Sequence, residues 1–106
     1  MRPLILTLAL LCGSAHAEFW DGNTLHQRLN GTPGEQNIAL GYVIGVSDAL
    51  LKATHCTPNN VTAGQLRDMM KNYLENTPAV RHYSADSLVS TVLKSQWPCP
   101  QGGKPL

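Results

Sequence analysis

Val61-Thr62-Ala63-Gly64-Gln65-Leu66-Arg67-Asp68-Met69-Met70-Lys71-Asn72-Tyr73-Leu74 is the stretch that decides the fold class. Thr62 and Gln65 form a T-x-x-Q capping box: the hydroxyl takes the N–H of the third helical residue while the amide reaches back to the backbone of the cap. Val61 and Leu66 flank that box at the spacing of a hydrophobic staple, so this helix start is specified twice. From there Leu66, Met69, Met70, Tyr73 and Leu74 fall at i, i+3, i+4, i+7 and i+8, with Arg67, Asp68, Lys71 and Asn72 turned outward. Thr77-Pro78 ends the helix, because the residue before a proline is pushed out of helical backbone.

Upstream, residues 35–54 read as a helix that is apolar on nearly every side, through Ile38, Leu40, Tyr42, Val43, Ile44, Val46, Ala49, Leu50 and Leu51. Such a helix belongs in the middle of a domain. Gly41 and Gly45 lie four apart, where missing side chains let another helix backbone come close. Asp48 sits inside this apolar run and is expected to hydrogen bond a helix N-terminus or a core tyrosine. Before it, Asp21-Gly22-Asn23 offers a cap for a short helix carrying Leu25 and Leu29, and Asn30-Gly31-Thr32-Pro33-Gly34 breaks that helix.

Downstream, Ser84 is expected to cap a last helix, with Leu88, Val89, Val92 and Leu93 on one side and Trp97-Pro98 as its stop. No alternating strand pattern occurs anywhere. The fold class is therefore all-α, a small single-domain bundle of about four helices with one disulfide.

The opening residues have a different character. Arg2, an apolar run over residues 4–11 and the small-residue pattern Ala15-His16-Ala17 make residues 1–17 a signal peptide cut after Ala17. The run is too short for a membrane span, which needs about 20 residues. Cys12 follows Leu11 rather than a small residue, which argues against a lipid anchor. That leaves a domain over residues 18–100 and a loose Gly/Pro tail over 101–106. The exported part carries seven Lys and Arg against seven Asp and Glu, so it lacks the positive charge that nucleic acid or an anionic membrane requires. Its two remaining cysteines, Cys56 and Cys99, are expected to pair in an oxidising compartment. Closing so long a loop stabilises by about 4 kcal/mol in the chain-entropy picture.

No catalytic constellation emerges. His26, His55 and His82 are far apart in the chain, without the paired spacing of a zinc site, and read as surface or capping residues. A cysteine nucleophile would need a thiol that the disulfide consumes. No serine-hydrolase elbow, phosphate loop or dinucleotide fingerprint is present. No cofactor is implied. What remains is surface: Pro78, Val80, Arg81, His82 and Tyr83 gather in a loop between two helices, with the residue types that anchor interfaces. The plainer role for that loop is a connection, with Tyr83 stapled onto Leu88.

Several segments taken together resemble the Rap/Tai family of bacterial immunity proteins. They are Phe19-Trp20-x-Gly22-Asn23, Gly41-Tyr42-Val43-Ile44-Gly45-Val46-x-Asp48-Ala49, Val61-Thr62-Ala63-Gly64-Gln65-Leu66, Tyr73-Leu74, Pro78-x-x-Arg81-His82 and Trp97-Pro98-Cys99-Pro100. The resemblance implies a periplasmic, all-helical, non-catalytic protein, commonly a homodimer. Its partner would be a peptidoglycan amidase delivered by type VI secretion, whose cleft it covers. Many family members carry a second cysteine pair, whose places Leu29 and Leu40 occupy here. From a different class, a small periplasmic stress or chaperone-like protein is the competing reading. Seven acids and three histidines in the exported part give it little of the titrating charge an acid chaperone needs.

Overall fold

The computed structural model describes residues 19–100; residues 1–18 and 101–106, and with them the expected signal peptide and tail, lie outside the described residues. The chain runs through α1 (Gly22–Leu29), α2 (Pro33–Leu50), α3 (Ala63–Asn76), a 3₁₀ turn (Pro78–Val80) and α4 (Ala85–Gln96). Among the described residues no strand forms, only isolated bridges such as Asp21 to Ser84 and His55 to Pro98.

Each helix gives the core one row of residues four apart: Leu25 and Leu29; Ala39, Val43 and Ser47; Leu66, Met70 and Leu74; Ala85, Val89 and Leu93, with Leu88 beside the last. Rows of this kind are what a helix buries when it packs along one stripe. Helix α1 has only eight residues, far too few to persist alone, so its helicity depends on the burial of Leu25 and Leu29. Leu29 is fully buried and Leu40 partly so.

The box at Thr62 and Gln65 forms as its spacing requires, with Gln65 N–H donating to the Thr62 hydroxyl at 3.1 Å and Thr62 N–H to Gln65 Oε1 at 2.7 Å. A second box starts α2 two residues earlier than expected. Thr32 and Glu35 exchange the same pair of bonds, and Pro33 occupies the first turn, where its missing N–H costs nothing. The Thr32 backbone N–H, then its hydroxyl, hold the Glu35 carboxyl below its usual range.

Three expectations about α2 are corrected. It buries a single stripe rather than its whole circumference, leaving Ile38 56% exposed. Among the described residues, a side chain added at Gly41 or Gly45 would meet nothing within 4 Å, so none of α1, α3 and α4 approaches there. Asp48 is exposed, and among the described residues it makes no hydrogen bond to a helix end or a tyrosine. The helix also stops at Leu50, short of Thr54, because Lys52 turns into the left-handed region with φ 70° and its N–H goes to the His55 carbonyl at 2.7 Å.

That turn exists to seat His55, the largest departure from the sequence reading. Far from the surface, its ring is fully buried. Nε2 donates to the Ser47 carbonyl at 2.9 Å, and Nδ1 accepts the Thr57 hydroxyl at 2.7 Å and the Thr57 N–H at 3.3 Å. Beside it Cys56 is bonded to Cys99, with Cα atoms 4.8 Å apart, and Cys56 N–H donates to the Trp97 carbonyl at 2.8 Å. One knot thereby joins the end of α2, the loop that follows and the end of α4.

Changing Cys99 to Ser should cost about 2–4 kcal/mol. His55→Leu strands a buried carbonyl and should cost about 1–3 kcal/mol. Because both act on one knot, the double variant should lose less than the two losses added. Urea unfolding of the four proteins measures this, and strict additivity would show two independent fastenings.

Candidate functional site

Residues 77–85 do not hang between two helices; they are wired to three. Helix α3 leaves its last carbonyls without helical partners, as every helix must. The Thr77 hydroxyl takes the Tyr73 carbonyl, and the Arg81 guanidinium donates from Nε to the Leu74 carbonyl at 2.6 Å and from Nη2 to the Glu75 carbonyl at 3.2 Å. A cation at a helix C-terminus also meets the favourable end of the helix dipole.

The same segment's carbonyls close the start of α1. Gly22 N–H donates to the Tyr83 carbonyl at 2.9 Å and Asn23 N–H to the Arg81 carbonyl at 2.8 Å, while the Asp21 carboxylate accepts the Thr24 N–H at 2.8 Å. This crossing demands glycine at position 22, since a Cβ there would lie 2.8 Å from both Cα and the carbonyl oxygen of Arg81. Ser84 is at the cap position of α4, but its side chain makes no capping bond. Instead the Trp20 carbonyl receives the Ala85 N–H at 2.8 Å.

Trp20 is pinned in turn. Its ring stacks on Tyr42 with centroids 4.8 Å apart, and the Arg28 guanidinium lies 4.8 Å from the Trp20 centroid. Burial, and then the Asp86 carboxylate, hold the Tyr42 phenol above its usual range.

With its backbone and Arg81 so occupied, the segment has a divided surface. Val80 and Arg81 are half-buried, whereas Pro78, Ala79, His82 and Tyr83 are exposed. The His82 and Tyr83 rings stand 4.2 Å apart, and Tyr83 is 54% exposed rather than folded down as a staple. The five loop residues singled out in the sequence are thus brought together, but only Pro78, His82 and Tyr83 are free to touch another molecule. Phe19, 89% exposed beside Trp20, was not singled out. Among the described residues, no three His, Cys, Asp or Glu side chains gather as a metal-ligand set.

Arg81→Ala should lower stability by about 1–3 kcal/mol, since it uncovers two helix-end carbonyls. His82→Ala with Tyr83→Ala should stay within about 0.5 kcal/mol of the parent, as surface changes do. Thermal melts of the two variants compare them directly, and an unaltered melt for Arg81→Ala would deny it the bracing role.

No helix among the described residues is long and apolar enough to cross a membrane. No curated protein matches the chain. The family model described as Rap1a immunity proteins matches residues 10–99, which take in all four helices and both paired cysteines. By that match over most of its length, the chain belongs to the Rap1a immunity protein family.

Proposed function

We propose that the protein acts in the periplasm, after cleavage behind Ala17, by binding a peptidoglycan amidase effector of type VI secretion and blocking its active site. Membership in a family of immunity proteins supports a cognate effector as the partner. The observation that carries the mode of action is the ridge of His82 and Tyr83 on a segment fastened to α1, α3 and α4. An ordered projection gives up little conformational entropy on entering a cleft, and exposed aromatic side chains supply most of an interface's affinity. The protein acts by occupancy rather than by chemistry of its own.

We also read the exposed side of α2 as the homodimer face. Gly34, Ile38, Gly41, Gly45 and Ala49 share it, and the open space over Gly41 and Gly45 lets a second copy's helix approach. The close packing that these glycines suggest is then between chains, not within one.

Purified protein titrated into type VI amidase effectors should inhibit peptidoglycan hydrolysis by its cognate enzyme at one site per enzyme. His82→Ala with Tyr83→Ala should weaken that binding at least tenfold, roughly 1.4 kcal/mol. A full set of such amidases left active at saturating protein would sink the proposal.

For the dimer, Gly41→Leu and Gly45→Leu should abolish self-association in sedimentation. Because helix propensity improves by about 0.5–1 kcal/mol per site, the monomer should melt no lower. Self-association untouched by both changes would put the interface elsewhere.

A further inference from the structure

A cavity of about 330 Å³ opens between the C-terminal half of α2, residues 57–61 and the first turn of α3. Its walls are mainly apolar, with Ile44, Leu51, Val61 and Leu66 among them, and Asp48 is the one ionised side chain lining it. The two ion pairs among the described residues lie elsewhere, so no cation of the described residues stands within 4 Å of this carboxylate. The walls are also fixed in advance. His55 ties the Ser47 carbonyl to Thr57, both of which line the cavity, and the capping box holds the start of α3.

We propose that this groove is the docking site of the chain's own residues 101–106, with the Lys104 ammonium at Asp48 and Pro105 and Leu106 over the apolar floor.

The disulfide supplies the tether. Cys99 lies 4.8 Å, Cα to Cα, from Cys56, whose neighbour Thr57 is part of the wall. Asp48 follows Ser47, the residue whose carbonyl His55 grips one position before Cys56. Five residues from Cys99 to Lys104 can span about 17 Å, ample for a site whose wall begins at the tether. The segment Gln101-Gly102-Gly103-Lys104-Pro105-Leu106 has the matching chemistry in the matching order. Two glycines admit any turn the backbone needs to come back on the domain. Next comes the one cation in the segment for the one anion in the groove, followed by two apolar side chains, whose burial is favourable at about 25 cal/mol per Å². Since the disulfide holds the segment close, docking is intramolecular and carries a high effective concentration, so weak contacts suffice to populate it.

The test compares the full chain with a variant stopped after Pro100 and with Lys104→Glu and Leu106→Asp, all outside the disulfide-closed loop. Carbon-13 methyl spectra are recorded for Ile44, Val61 and Leu66, with hydrogen exchange at Asn59 and Val61. Truncation should shift those methyl resonances, leave Val89 and Leu93 in place, and speed exchange at the two amides by about threefold. Each point variant should move the same resonances toward their truncated positions, as should Asp48→Asn. Identical groove resonances in the full and truncated chains would overturn the proposal. So would resonances that ignore truncation but move with protein concentration, which would give the groove to a second copy. This outcome is independent of the effector reading, because no effector is present in the experiment.

Discussion

Free backbone groups at helix ends are the constraint on which this structure depends. Four short helices in a domain of this size leave a large fraction of their N–H and C=O groups without helical partners, and burying any of them unpaired costs about as much as a lost hydrogen bond. Each end is met by a particular device. Capping boxes begin α2 and α3. The Asp21 carboxylate and two carbonyls from residues 81 and 83 begin α1, and the Trp20 carbonyl begins α4. Arg81 finishes α3, and the His55 ring finishes α2. The loops are therefore shaped by what the helices need at their ends, and the exposed residues on those loops take positions set by that need.

This arrangement separates bracing from contact within one loop. Arg81 is of a residue type enriched among interface anchors, yet its guanidinium donates inward to the Leu74 and Glu75 carbonyls. The side chains of its neighbours His82 and Tyr83 have no such obligation and lie tilted against one another at the surface. A rigid support with exposed aromatic side chains on top suits the occupancy proposed for it, and the zero net charge of residues 18–106 leaves shape and apolar contact as the means of attraction.

How much of this could be read from the sequence depended on how local each interaction is. The box at Thr62 and Gln65 was legible because all its partners lie within four residues. The box at Thr32 and Glu35 is equally local, and T-P-G-E carries its signature, but the surrounding Gly and Pro made the stretch read as a break. The burial of His55 could not be read, because its partner is a carbonyl eight positions back, brought there by a left-handed turn at a lysine. The glycines show the same division. A pair at i and i+4 suggests close packing, yet the tight backbone crossing is at Gly22, against a residue 59 positions further on, and no spacing rule announces it. Ser84 is the residue before α4, but the capping bond expected of its side chain does not form, and the carbonyl that meets the first N–H comes from Trp20, far back in the chain.

The misreading of α2 carries the most physical content. Its composition is that of a helix buried all round, and it does touch the other three helices, yet they bury fully only the stripe of Ala39, Val43 and Ser47, with Tyr42, Ile44 and Val46 packed partly beside it. A domain this small cannot enclose a helix of 18 residues on every side, because the fraction of surface it can bury falls with size. The apolar character left over must meet something other than this chain's core. Single exposed apolar residues are ordinary, but here Ile38 and the open strip over Gly41 and Gly45 run along one helix face, and the groove at Ile44 and Leu66 lies beside the same helix. With no net charge over residues 18–106 to keep copies apart, such a face favours association. On the proposed dimer, the excess hydrophobicity of α2 serves an interface rather than the core.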